Sequence, residues 1–219
     1  MTMDLNDEKP EEYKQGFAMF CGQKFIVSPD VLIPRIETEE IIDIVAKCHP
    51  ELVSGSHIAD VGTGSGCIGI TLAQKFPKAT VYLSDIDEKA LKVARKNAKS
   101  KIMKFLKSDL LENYPKDVFF DVIVANLPYI PTSRIKTLQP SVKDFEPRVA
   151  LDGGPRGVTL INRLISQLSK HLKNNGMAIL EIDDTHTLKS FEIPKNFSGE
   201  IKKDLLGRNR FLILNSHIM

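Results

Sequence analysis

Asp60-Val61-Gly62-Thr63-Gly64-Ser65-Gly66 stands between an apolar stretch, His57 to Val61, and a stretch with helical spacing, Ile68 to Phe76. The first reads as a strand and the second as a helix. Glycines at such a turn let the backbone approach a ligand closely, and the helix start beyond them offers free N–H groups. Gly64-x-Gly66-x-x-Gly69 also fits the dinucleotide fingerprint, with Asp85 where a ribose-binding acid belongs at the end of the next strand. This segment alone suits a nicotinamide cofactor, S-adenosylmethionine or a plain tight turn.

Outward from the turn, strands and helices alternate. Thr80 to Ser84 reads as strand, Glu88 to Ser100 as helix, Ile102 to Leu106 as strand, and Val118 to Ala125 as a strand buried on both faces. Gly157 to Leu172 has helical spacing and ends at Asn174-Asn175-Gly176, a C-terminal stop signal. Met177 to Ile182 follows as strand, then Gly199 to Asp204 and Arg210 to Asn215, joined through Gly207. On the N-terminal side, Glu37 to Cys48 is a helix. Phe17 to Phe20 and Gln23 to Val27 form a hairpin turning at Cys21-Gly22 and closed by Leu32-Ile33-Pro34. The expected fold is α/β and Rossmann-like: a seven-stranded, mostly parallel sheet with an antiparallel C-terminal hairpin, preceded by a small β-hairpin. Residues 1–16 are expected as an acidic tail or short helix, and 17–219 as one domain with residues 17–36 as its hairpin extension. Ile130 to Pro155 is a long connection with four prolines, and such loops inside compact domains are usually functional.

A chain of 219 residues is enough for one domain with a substantial core. An apolar fraction of 42% and a charged fraction of 26% exclude a disordered or collagen-like chain. A net charge of +2 is too balanced for a dedicated binder of nucleic acid or membrane surface, so neither partner is expected. No apolar run approaches a membrane span, and Asp4, Asp7, Glu8, Glu11 and Glu12 are the reverse of a basic signal-peptide start. Cys21, Cys48 and Cys67 form no C-x-x-C pair, so no disulfide framework or structural zinc site is expected, and the expected location is the cytoplasm. Lys89, Lys92, Arg95, Lys96 and Lys99 recur at helical spacing opposite Leu91, Ala94 and Ala98, which reads as a solvated helix face.

Three acids close three successive strands. Asp60 precedes the first glycine, where a carboxylate can help place the positive methionine end of S-adenosylmethionine and would repel a pyrophosphate. Asp85 can accept both ribose hydroxyls. Asp109, beside apolar Leu110, can reach an adenine amino group or serve as a helix cap or turn residue. Ligands in such sheets sit at these strand ends.

Asn126-Leu127-Pro128-Tyr129 follows the buried fourth strand directly. The amide nitrogen of glutamine and the exocyclic amine of adenine are poor nucleophiles, because their lone pairs are delocalised. Asn126 Oδ1 and the Leu127 carbonyl can each accept one N–H of such a group. Pro128 disfavours the helical conformation at Leu127 and so directs that carbonyl. Tyr129 can pack over a planar substrate group. Arg148 is either a loop ion-pair residue or a contact to the substrate backbone.

Here the chain resembles the peptide chain release factor N(5)-glutamine methyltransferases, the HemK/PrmC family. The matching stretches are Phe20-Cys21-Gly22 through Phe25, Val31 to Glu39, Asp60 to Cys67, Ser84-Asp85-Ile86, Asn126 to Ile130, and Glu146 to Gly154 followed by Gly157. The resemblance implies a class I methyltransferase fold and S-adenosylmethionine as cofactor. It implies cofactor contacts from Gly62, Thr63, Gly64, Ser65, Gly66, Asp85, Leu110 and Asn126, and a glutamine held by Asn126 to Tyr129. The substrate it implies is the Gly-Gly-Gln loop of a release factor; a ribosomal-protein glutamine and an adenine amine are alternatives, and a non-catalytic subunit the least favoured. A monomer is the expected state. Two departures stand out: the family usually has Pro at Leu127, and bacterial members carry a helical N-terminal domain without a counterpart here.

Overall fold

A computed structural model describes residues 9–99 and 103–217. The acidic start at Asp4, Asp7 and Glu8, together with Ser100 and Ile102, lies outside them. A short helix α1, Glu11–Gln15, leads into strands β1, Phe17–Phe20, and β2, Gln23–Ile26, which pair antiparallel. A single 3-10 turn, Glu37–Glu39, runs into helix α2, Glu40–Cys48. The sheet proper contains β3 His57–Val61, β4 Thr80–Asp85, β5 Lys104–Lys107, β6 Phe120–Ala125, β7 Leu172–Glu181, β8 Phe197–Lys203 and β9 Asn209–Ser216. Helices α3 Cys67–Lys75, α4 Glu88–Asn97, α5 Pro140–Lys143 and α6 Thr159–Leu168 connect them.

The strand order is β5-β4-β3-β6-β7-β9-β8. The first five are parallel neighbours, and β9 runs antiparallel to both β7 and β8. The order reverses direction between β3 and β6, and a crevice opens beyond the carboxyl ends of these two strands, as open α/β sheets require. β3 and β6 are apolar runs because both of their faces are covered. Ile58, Val122, Val124 and Ile179 pack with Ile41, Ile44 and Val45 of α2 and Ile70 and Leu72 of α3. Ala59, Ile123, Ala125 and Ala178 face the opposite layer, with Ile161, Leu164 and Ile165 of α6.

The long connection after β6 is ordered by local 3-10 turns, by α5, and by a bridge between Ile130 and Asp152. Glu146 ties it to the segment after the hairpin by accepting from Ile33 N at 3.3 Å and pairing with Arg35.

One expectation fails. The helix expected over Gly157 to Leu172 spans only Thr159–Leu168, and Leu172 already belongs to β7. Leu172 pairs with Phe120 and Met177 with Val122, so the four residues 173–176 stand opposite Asp121 alone, three more than the ladder needs, and bulge from it. Asn175 adopts φ 62, the left-handed backbone that Asn tolerates better than most residues. The Asn-Asn-Gly signal for a left-handed residue is right; it serves a strand interruption instead of a helix end. Asn175 is exposed, so Asn175→Val should act through backbone conformation alone and lower stability by about 1–2 kcal/mol. Asn175→Gly should cost nothing by comparison. Urea unfolding of the two variants against the parent checks this.

Candidate active site

Beyond β3 the chain turns at Gly62, Gly64 and Gly66, with φ values of 72, 54 and 85. Thr63 N donates to Ser84 O at 2.8 Å, and Gly64 N donates to Asp85 Oδ2 at 3.0 Å, so the turn is pinned to the end of β4. Asp85 Oδ1 accepts from Asp87 N at 3.0 Å. Gly66 caps α3 without a side-chain hydrogen bond. Gly66 itself therefore offers the first N–H groups of that helix no acceptor, and Gly69 N is met by Asp60 instead.

A cavity of about 240 Å³ lies over this turn. Gly62 to Ser65, Asp85, Asp109, Leu110, Asn126, Leu127 and Pro128 all line it, drawn together from the ends of β3, β4, β5 and β6. Leu110 has φ 53, an unusual backbone for a branched residue, in the turn just after β5. Asp109 is salt-bridged to Arg163 of α6 at 2.9 Å. Gly66 does not line the cavity; its φ is left-handed, and a Cβ there would lie 2.8 Å from Ile70 Cδ1 and 3.2 Å from Ala94 Cβ.

Asn126 Nδ2 donates to Thr38 Oγ1 at 3.2 Å, and Thr38 Oγ1 donates to Glu181 Oε2 at 2.7 Å. Tyr129 Oη donates to Glu181 Oε1 at 3.0 Å. Burial pushes the Glu181 carboxyl above its ordinary range and raises the Tyr129 hydroxyl as well. Glu146 is likewise raised by burial, against the pull of Arg35.

Residues 18–139 match the family model described as Methyltransferase small domain. A release factor glutamine methyltransferase of Koribacter versatilis is 40% identical over 208 residues, 94% of this chain and 74% of that protein. The chain belongs to the release factor glutamine methyltransferase family. A second family member, from Flavobacterium psychrophilum, is 34% identical over 98% of this chain and 78% of its own length. The crystal structure of a protein-(glutamine-N5) methyltransferase, release factor-specific, from Alicyclobacillus acidocaldarius matches with a TM-score of 0.55 at 24% identity. It covers 89% of this chain and 100% of that one, and bears out the fold.

Besides Gly66, three residues singled out in the sequence lie off the wall of the methyltransferase cavity. Asp60 is wholly buried beneath the glycine turn, where Oδ2 accepts from Thr63 Oγ1 at 2.5 Å and Gly69 N at 2.8 Å. Gly69 must lack a side chain there, because a Cβ would stand 2.8 Å from Asp60 Oδ2. Tyr129 turns its hydroxyl to Glu181 instead of lining the cavity. Arg148 is 70% exposed and paired with Asp152 at 3.2 Å, while its neighbours Pro147, Val149 and Ala150 line the cavity. Leu127 is buried, and a Cβ on Gly62 would come within 2.9 Å of its Cδ2, so this side chain covers the glycine turn.

Val31, Pro34, Arg35, Thr38 and Arg163 also line the cavity, and Glu181 stands behind it; none of these is a candidate site residue from the sequence. The readable signal for Glu181 was a lone carboxylate in the otherwise apolar run Met177 to Ile182.

Burial raises the Asp60 carboxyl from 3.8 to about 6, despite its two donors. Between these values the folded chain holds more protons at Asp60 than the unfolded chain. Its stabilising contribution is therefore complete below about pH 4 and is lost as pH rises to about 6. The loss should be on the order of 2–3 kcal/mol. Subtracting the stability–pH curve of Asp60→Asn from that of the parent isolates this slope from the other raised acids.

Proposed function

We propose that this chain methylates the side-chain amide nitrogen of the glutamine in the Gly-Gly-Gln loop of a peptide chain release factor, with S-adenosylmethionine as donor. The observation that carries the reading is Asn126. Its Nδ2 is held by Thr38 at 3.2 Å, which leaves Oδ1 as the acceptor for an incoming N–H, beside Leu127 and Pro128 on the cavity wall. The family to which the chain belongs supports the substrate.

The residues fit the donor. Asp85 stands on the wall with lone pairs left for ribose hydroxyls, and Ile86, Ala90 and Leu110 supply an apolar surface for a flat base. A Cβ on Gly64 would meet nothing within 4 Å, so the turn leaves open space above it. Asp109 keeps acceptor capacity beside its partner Arg163. Asp60 acts from beneath by holding Thr63 and the start of α3. When bound, S-adenosylmethionine supplies an electrophilic methyl group.

The protein's own task is to make an amide nitrogen available. Asn126 Oδ1 and the Leu127 carbonyl accept the two N–H groups of the substrate amide and fix its plane. Pro128 holds Leu127 out of the helical region, so the carbonyl keeps its direction. Leu127 keeps this role although the family usually has Pro there, because the acceptor is backbone. The same wall carries Pro147, Val149 and Ala150, brought in by the loop that Glu146 anchors.

Asn126→Ala should lower the saturated rate by roughly 10²–10³ while affinity for S-adenosylhomocysteine changes little. Mass spectrometry of purified release factor after incubation with enzyme and donor reads the first, and calorimetry the second. An unmodified glutamine with the parent enzyme would overturn the substrate. Asp85→Ala should weaken S-adenosylhomocysteine binding by about 1.5–3 kcal/mol, the range for a lost charge-assisted hydrogen bond. An unchanged dissociation constant would move the ribose elsewhere.

A further inference from the structure

The carboxylate of Glu181 is the least expected group near the site. It is 1% exposed and ends β7, a strand whose last residues are otherwise apolar. A buried carboxylate is costly by itself, so stability does not account for it. Its position is informative. Ala125 of β6 pairs with Leu180 of β7, so Asn126 and Glu181 are the next residues along two adjacent strands. Thr38, from the turn ahead of α2, sits between them.

A threonine hydroxyl has one proton and two lone pairs. Both carboxyl oxygens of Glu181 accept, Oε1 from Tyr129 and Oε2 from Thr38, so the 2.7 Å contact takes the proton of Thr38. What Thr38 then offers Asn126 is a lone pair, and only Nδ2 can meet it. A neutral asparagine has no such preference on its own, because its amide can turn end for end. Turned over, it would face the N–H groups of a substrate amide with N–H groups of its own, which repels them. We propose that Glu181, through Thr38, is a positioning residue that fixes the polarity of the Asn126 amide so that Oδ1 faces the substrate. The proposal rests on the glutamine-methylation reading for its substrate. Glu181 also receives the Tyr129 hydroxyl, so one carboxylate holds both ends of the Asn126-to-Tyr129 motif.

Thr38→Val is the direct test, since it keeps the shape and removes both the proton and the lone pairs. The full-length chain is assayed with purified release factor and S-adenosylmethionine, beside Thr38→Ser, Glu181→Gln and the Thr38→Val/Glu181→Gln double variant. Thr38→Val should lower kcat roughly 10–100-fold, the usual cost of losing a group that orients a reacting one. Its dissociation constant for S-adenosylhomocysteine, by calorimetry, should stay near that of the parent. Thr38→Ser, which keeps the oxygen, should recover most of the loss. Glu181→Gln should lower kcat less than Thr38→Val, and the double variant should be no slower than Thr38→Val, because both changes break one chain.

A second readout is independent of turnover. The side-chain amide signals of Asn126 in a ¹H–¹⁵N spectrum, identified by their loss in Asn126→Ala, should move in Thr38→Val and return in Thr38→Ser. Unmoved signals, additive rate losses, or a Thr38→Val defect confined to S-adenosylhomocysteine binding would each overturn the proposal. Failure of the parent to methylate release factor overturns the substrate reading instead. The amide signals still decide the positioning in that case.

Discussion

One oxygen atom, Asp60 Oδ2, joins the three parts of the fold that make the cavity. It accepts from Gly69 N and from Thr63 Oγ1, so the end of β3, the glycine turn and the first turn of α3 share a single anchor. The other links of the turn run to β4, through Ser84 O and Asp85 Oδ2, and to the end of α4, where Asn97 Nδ2 donates to Ser65 O. The anchor is costly. Asp60 Oδ1 is buried with no hydrogen-bond partner among the described residues, and burial is the largest influence on the carboxyl. A group held at such cost is where a fold gives up stability for geometry.

Glu181 repeats this arrangement on the other side of the switch in strand order. Both acids sit at the carboxyl end of a strand, Asp60 next to last in β3 and Glu181 last in β7. Both are wholly or almost wholly buried, and both act through a threonine, Thr63 in one case and Thr38 in the other. The first arrangement shapes the turn that the donor would approach, and the second shapes the motif that the acceptor would approach. Leu127 joins the two, because its side chain covers Gly62 while its backbone belongs to the Asn126 motif. The two halves of the site are therefore packed against each other and not merely adjacent.

Much of this was legible in the sequence, and for local reasons. Strand β3 and the hairpin β1–β2 carry their patterns in contiguous residues, and the acids and glycines of the wall fall at strand ends, where topology puts ligands. The site residues that escaped notice act through partners distant in sequence. Thr38 reads as one more polar residue in a helix-opening run, and only the fold brings it to Asn126 and Glu181. The sequence suits the Tyr129 ring to packing over a flat substrate group but does not show that its hydroxyl is held by a buried carboxylate on the next strand. Asn175 misled for a different reason. A left-handed residue has the same signature whether it ends a helix or loops out of a strand, and only pairing with β6 distinguishes the two.

The sequence distances across the site carry a consequence for synthesis. Thr38 meets its partners 88 and 143 residues later, and Ile33 meets Glu146 after 113. A chain made from its N-terminus has Ile33 and Thr38 long before these partners exist. The hairpin β1–β2 and α4 can associate early, through Asn97 and Ile26, but the carboxylate that holds Thr38 waits for β7. Closing such long loops comes late and slowly in folding. The contact between Thr38 and Glu181, and the support it gives Asn126, thus forms only after β7 has been synthesised.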